Sequence, residues 1–111
     1  MGVTKTEAFT VEQNELARLA KALGHPARIA ILQQLLRLDC CVGVDFTREI
    51  ELSQPTISKH LRELKEVGLI QGTVEGTSIS YCIDPARWLE VQNMIGELFA
   101  QFKIGGNSDC C

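Results

Sequence analysis

Residues 53–83 place a capped helix directly before a Gly-centred hairpin, a pairing that few small folds accommodate. Ser53 is a good N-cap, and Pro55 is tolerated in a first helical turn. Ile57, Leu61 and Leu64 then form one apolar stripe, and Gly68 ends the helix. Residues 69–74 and 79–83 read as short strands flanking Glu75-Gly76-Thr77-Ser78, a Gly-bearing turn. Upstream, Asp45 caps a short helix predicted over residues 45–51, so two helices and a tight turn at Leu52-Ser53 precede the hairpin.

The rest of the chain supplies longer helices. Thr10-Val11-Glu12-Gln13 is a Thr-x-x-Gln capping box, followed by the stripe Leu16, Leu19, Ala20 and Leu23. Gly24 closes that helix and Pro26 opens a second, predicted over residues 26–38. Ile29, Ile31, Leu32, Leu35 and Leu36 give it a wide apolar face and hence a central place. Residues 40–44 read as a connector. Asp84-Pro85 opens a fifth helix lined by Trp88, Val91, Ile95, Leu98, Phe99 and Phe102, ending by Gly105-Gly106-Asn107. The order predicts a mainly α fold with a small β-hairpin, a winged helix-turn-helix. It forms a single domain over residues 1–111, with its core at about 10–103 and a flexible tail at 104–111. A domain of this size cannot easily cover both the first and fifth stripes. A homodimer through those helices follows, with Leu16, Leu19, Leu23, Trp88, Ile95 and Phe99 across a two-fold axis.

The fourth helix carries the chemistry. Ser53, Gln54, Thr56, Ser58, Lys59, His60 and Arg62 offer short hydrogen-bonding groups and cations beside its apolar stripe. Such groups suit base edges and phosphates in a major groove, so the expected partner is double-stranded DNA. The net charge of −3 and pI of about 5.3 oppose this on their face, since binders usually carry a basic footprint. Residues 48–66 hold four Lys/Arg and four Asp/Glu, and the wing turn has Glu75 and no Arg, so moderate affinity is expected. No apolar run approaches the ~18 residues of a membrane span. Residues 1–10 lack the basic start and apolar stretch of a secretory signal, which predicts a cytoplasmic protein without a membrane partner.

Five cysteines are many for 111 residues. Cys40-Cys41 and Cys110-Cys111 are adjacent pairs, and Cys82 stands alone. An odd count at such spacing does not fit a secreted disulfide scaffold. Free thiols at this density point to soft-metal binding or redox sensing. For Cys82, simple burial is the competing reading. There is no Cys-x-x-Cys motif and no defensible Cys/His pairing, which makes an enzyme or metallochaperone remote.

Ala22-Leu23-Gly24-His25-Pro26-Ala27-Arg28-Ile29-Ala30-Ile31-Leu32 resembles the opening of the arsenic-repressor (ArsR/SmtB) family. The run from Leu52-Ser53-Gln54-Pro55 through Thr56-Ile57-Ser58-Lys59-His60-Leu61-Arg62-Glu63-Leu64, then Gly68-Leu69-Ile70, resembles its recognition-helix signature. Glu75-Gly76 and Tyr81 resemble its wing. The resemblance implies a homodimeric bacterial transcriptional repressor whose ligand loosens operator DNA.

It also frames what is sensed. Zinc sensors of the family use Asp, His and Glu on the fifth helix. The two histidines here, His25 and His60, lie elsewhere, and Asp84, Glu90 and Glu97 alone do not suit zinc. His25, before Pro26, reads as a helix-start residue. Arsenic and lead sensors use Cys-x-Cys-Asp at the third helix, from which Cys40-Cys41-Val42-Gly43-Val44-Asp45 departs. The expected inducer is As(III) or Sb(III), held by Cys40 and Cys41 with Cys110 or Cys111, and Cys82 is a further candidate. No organic cofactor is expected. The alternative is a disulfide or persulfide switch, which needs two Cα atoms within about 7 Å.

Overall fold

The computed structural model describes residues 8–37, 42–43, 50–75 and 78–103. Its elements are α1 (Val11–Leu23), α2 (Pro26–Leu36), β1 (Val42–Gly43), α3 (Gln54–Glu66), β2 (Ile70–Glu75), β3 (Ser78–Ile83) and α4 (Pro85–Ala100). Most of the short helix expected over residues 45–51, and all of the tail 104–111, lie outside the described residues. The helices expected fourth and fifth are therefore α3 and α4.

Local chemistry sets the helix ends. The Gln13 amide donates to Thr10 Oγ1, and the Thr10 amide donates to Gln13 Oε1, both at 3.0 Å, so the capping box closes reciprocally. His25 caps α2, its Nδ1 accepting from the Ala27 amide at 3.0 Å. Asp84 caps α4 by accepting from the Arg87 amide at 3.2 Å, with Pro85 following. Ser53 sits at the N-cap of α3 but makes no side-chain bond to the helix backbone. Pro55 removes one of the amides it would serve, and Ser53 Oγ pairs with Thr56 Oγ1 at 3.0 Å instead. α3 stops where Gly68 takes φ +84°. The Leu69 amide then donates to the Leu64 carbonyl and the Gly68 amide to the Lys65 carbonyl, a Schellman closure.

The core gathers one stripe from each helix around the base of the hairpin. Leu19, Ile31, Ile57, Leu61, Leu64, Leu69 and Ile70 are fully buried, with Leu32, Leu35 and Val91 beside them. Leu19 was expected at a two-fold axis; it is 0% exposed within the single chain, so the assembly surface excludes it. α2 presents a narrower face than its composition suggests, because Ile29 and Leu36 are exposed.

The sheet has three strands in the order β1-β3-β2, all pairs antiparallel. β2 and β3 pair from Ile70↔Ile83 to Glu75↔Ser78, so only Gly76 and Thr77 connect them, a tighter hairpin than the four-residue turn expected. β1 corrects the connector reading of residues 40–44. Val42 pairs with Tyr81 and Gly43 with Ser80, and two residues are too few to show a period of two in sequence. Gly72 is required for close approach: a Cβ there would collide with the Tyr81 ring and the Ser80 carbonyl.

Candidate nucleic-acid interface

A helix turns about 100° per residue, and Ile57, His60, Leu61 and Leu64 fill one sector of α3 as its buried residues. The opposite sector carries Pro55, Lys59, Arg62 and Glu66, all exposed. Gln54 is exposed at the start of the helix, where its Nε2 donates to Ser58 Oγ at 3.3 Å. Thr56 and Ser58 are half-buried along the edges of the face. Lys65 reaches across to the wing, its Nζ donating to the Gly72 carbonyl at 3.0 Å. The result is an accessible row of amide, hydroxyl and cationic groups on a helix pinned to the adjacent hairpin.

His60 does not belong to that row. It was expected toward the groove, but it lies three residues after Ile57 and is only 6% exposed. Its Nδ1 accepts a 3.1 Å bond from Arg28 Nε, so the ring proton resides on Nε2. Arg28 also donates to the Ala22 carbonyl at 3.2 Å, joining the end of α1, the start of α2 and α3. The His25 ring stands 4.3 Å from that of His60, centroid to centroid. Burial, first, and then the nearby His25, Arg28 and Lys59 hold His60 below its ordinary value and keep it neutral. Arg28 escaped the sequence-based expectations, although its i+3 spacing from the His25 cap marks it as facing the same junction.

A second residue that sequence did not flag, Arg87, anchors α4. Its Nε donates to the Val67 carbonyl at 2.9 Å, its Nη1 to Glu90 at 2.9 Å and its Nη2 to Glu15 of α1. Glu15, bonded first to Arg18 and then to Arg87, is held below the usual carboxylate range. The anchor lies beside Gly68, so one guanidinium fixes α1, α4 and the exit of α3 together.

Among the cysteines, only Cys82 is described. It is half-buried on β3, accepts a long 3.8 Å contact from Gln71 Nε2, and is disulfide-bonded. Cys40, Cys41, Cys110 and Cys111 lie outside the described residues. Among the described residues, no three His, Cys, Asp or Glu side chains gather in a way that could hold a metal. Asp84 is committed to its cap and Glu90 to Arg87. No described helix is long and apolar enough to cross a membrane.

Comparison with known proteins agrees with this geometry. The profile of the bacterial regulatory protein arsR family matches residues 25–71. An uncharacterized HTH-type transcriptional regulator of Methanocaldococcus jannaschii is 35% identical over 82 residues, 74% of this chain and 92% of that protein. The Biofilm growth-associated repressor of Xylella fastidiosa is 30% identical over 78% of this chain and 75% of its own length. The crystal structure of the Xylella fastidiosa repressor BigR superposes with a TM-score of 0.56 at 30% identity, covering 82% of this chain and 90% of that one. The cadmium metal-sensor CmtR of Mycobacterium tuberculosis superposes with a TM-score of 0.50 at 29% identity, covering 86% and 96%. The chain belongs to the arsR family of helix-turn-helix transcriptional regulators and is not an enzyme.

Proposed function

We propose that the chain is a homodimeric repressor that binds double-stranded operator DNA through α3 and leaves it when a thiophilic inducer, As(III) or Sb(III), engages its cysteines. The carrying observation is the accessible row Gln54, Thr56, Ser58, Lys59 and Arg62 beside the wing, with Ser53 at its head. The dimer rests on α1 and α4. Leu98 and Phe99 are exposed, and an apolar groove of about 470 Å³ runs past Leu23, Trp88, Ile95 and Gly96. A second copy of the same surface closes such a groove symmetrically. For the inducer, Cys40 and Cys41 with Cys110 or Cys111 supply the three thiolates a soft trigonal ion prefers, and a relative that senses cadmium supports metal responsiveness. Release requires that the inducer favour the form that binds DNA poorly.

A second reading, a redox or persulfide switch, is favoured by the disulfide at Cys82. One operator-shift titration separates the two, run in parallel with arsenite, zinc and peroxide on the full chain. Release by arsenite alone supports the first reading and release by peroxide alone the second. Absence of operator binding in every condition overturns both.

A further inference from the structure

Two imidazoles meet where α3 rests on the start of α2, and both are used in the same way. His60 Nδ1 accepts from Arg28 Nε at 3.1 Å, and His25 Nδ1 accepts from the Ala27 amide at 3.0 Å. The rings stand 4.3 Å apart. A neutral imidazole that accepts at Nδ1 carries its proton on Nε2, so a second proton has only Nδ1 to enter. For His60 that is the nitrogen that holds Arg28. We propose, resting on α3 as the DNA-reading helix, that His60 is a positioning residue for DNA binding: its bond from Arg28 seats α3 against α1 and α2, and a proton at Nδ1 unseats it, so acid weakens DNA binding while the chain stays folded.

The junction has few ways to absorb that proton. Once Nδ1 is protonated, two N–H donors, both on cations, face each other across the former bond. A flip of the ring restores no acceptor, because a carbon takes the place of the nitrogen. Arg28 is tethered as well, its Nη1 donating to the Ala22 carbonyl at 3.2 Å, so its withdrawal also frees the end of α1. His60 is only 6% exposed and shares its sector of α3 with Ile57 and Leu64, both fully buried. Relief therefore comes from a shift of α3 in its seat. Gln54, Lys59 and Arg62 ride on the same helix and shift with it.

The surrounding charges mostly oppose the proton. From α2 come His25 and Arg28, and from α3 itself Lys59; Glu63 alone among the groups acting on the ring favours the imidazolium. α1 adds Arg18 and Lys21 along the adjoining cleft, with Glu66 of α3 facing them. β2 meets α3 through Lys65 and the Gly72 carbonyl, and none of its groups acts on the ring. The seat is thus complete above the ordinary 6.5 and fails as pH falls through the lower folded value. Each proton excluded from the bound form costs up to about tenfold in affinity per pH unit, and two chains up to about a hundredfold.

The test uses the full reduced chain without arsenite, and a duplex that it selects from a random library at about pH 8. Affinity is then followed down to about pH 5.5 at constant salt, with circular dichroism confirming the fold at each point. The expected wild-type profile is flat near neutrality and falls at least tenfold in acid. His60→Ala should lose binding even at pH 8, and His60→Gln, which keeps an acceptor for Arg28, should recover most of it and lack the acid fall. Coupling is reciprocal, so the duplex must also lower the pH at which His60 titrates. Imidazole proton shifts of the wild type, free and bound, read this directly, even where a variant fails to fold. A flat wild-type profile, an equal acid fall in His60→Gln, or an unmoved His60 titration overturns the seat and leaves α3 as the reading helix. Tighter binding in acid also overturns it, because an imidazolium then touches a phosphate instead of expelling Arg28. If no duplex is selected, the DNA-reading assignment fails, and the seat with it.

Discussion

α3 and α4 are the amphipathic helices on either side of the wing, and they dispose of their apolar residues differently. Ile57, Leu61 and Leu64 of α3 are at most 2% exposed. α4 is longer, yet Val91 is its one buried residue, while Leu89, Leu98 and Phe99 stay exposed at 58%, 48% and 73%. The apolar side of α3 is satisfied inside one chain, which leaves its polar side to face outward with nothing else to do. α4 is satisfied along one side only, where Val91 is buried and Trp88, Met94 and Ile95 pack against the core. The contrast teaches that the proposed reading surface is complete in a single chain, whereas α4 leaves an apolar face that the proposed second copy would cover.

The sharpest way to break that contrast is to place a carboxylate on each kind of surface. Leu19→Asp puts an unpaired charge into a fully buried site, at a cost of several kcal/mol, comparable to the whole stability of a small domain. No cooperative thermal transition should remain by circular dichroism. Leu98→Asp, on the exposed face, should keep the helical signal but sediment as a monomer. It should also bind operator DNA poorly, because two half-sites no longer act together. A folded Leu98→Asp dimer would remove this face from the interface.

On α3 the expected effects are smaller and differ in kind. Lys59→Ala and Arg62→Ala should weaken binding to every sequence and each lower the salt slope by about 1, the signature of a lost phosphate contact. Gln54→Ala should instead alter base preference with little change in that slope. Unchanged binding in all three, with the fold intact, would take this helix out of the readout.

His60 sharpens the comparison from the core side. Its folded value is depressed, so the unfolded chain binds more protons in acid. The stability it contributes is complete above the ordinary 6.5 and is lost as pH falls through the lower folded value. Protonation would also set a charged ring against Arg28. The thermal midpoint should therefore drop on acidification below about 6.5. His60→Gln, which keeps an acceptor for Arg28 at a cost of about 1 kcal/mol, should flatten that drop. An identical pH profile in wild type and variant would assign the acid sensitivity elsewhere.

Much of this architecture is legible in sequence because local chemistry announces it. The Thr10/Gln13 box, the Asp84-Pro85 cap, the Gly68 stop and the stripe of α3 depend on residues within one turn of each other. What escaped depends on long-range partners. His60 is polar by type, and its burial becomes plausible only when Arg28, 32 residues earlier, supplies a donor. Leu19 and Leu98 look alike on their helical stripes, but only tertiary packing tells an inner position from an outer one. β1 holds two residues and exists only because β3 offers an edge.

The smallest expected effect concerns the half of α4 that is already secured. Glu15 and Arg87 join α1 to α4 with side chains 30% and 21% exposed, so solvent screens much of their attraction. Arg87 keeps its bonds to Glu90 and the Val67 carbonyl when Glu15 is neutralised. Glu15→Gln should then cost about 0.5–1 kcal/mol near neutral pH. The sign with pH is opposite to any benefit from acid. The depressed carboxylate stabilises the fold above its ordinary 4.5, and that contribution disappears as pH falls through the lower folded value. Wild type and variant should therefore differ in thermal midpoint at pH 7 and converge well below 4.5. Sedimentation should stay unchanged, because this ion pair holds α4 to its own chain, whereas Leu98 and Phe99 lie farther along the helix on the exposed face proposed for the partner. A variant that becomes monomeric without losing thermal stability would show that α1 and α4 are held in register for assembly rather than for folding.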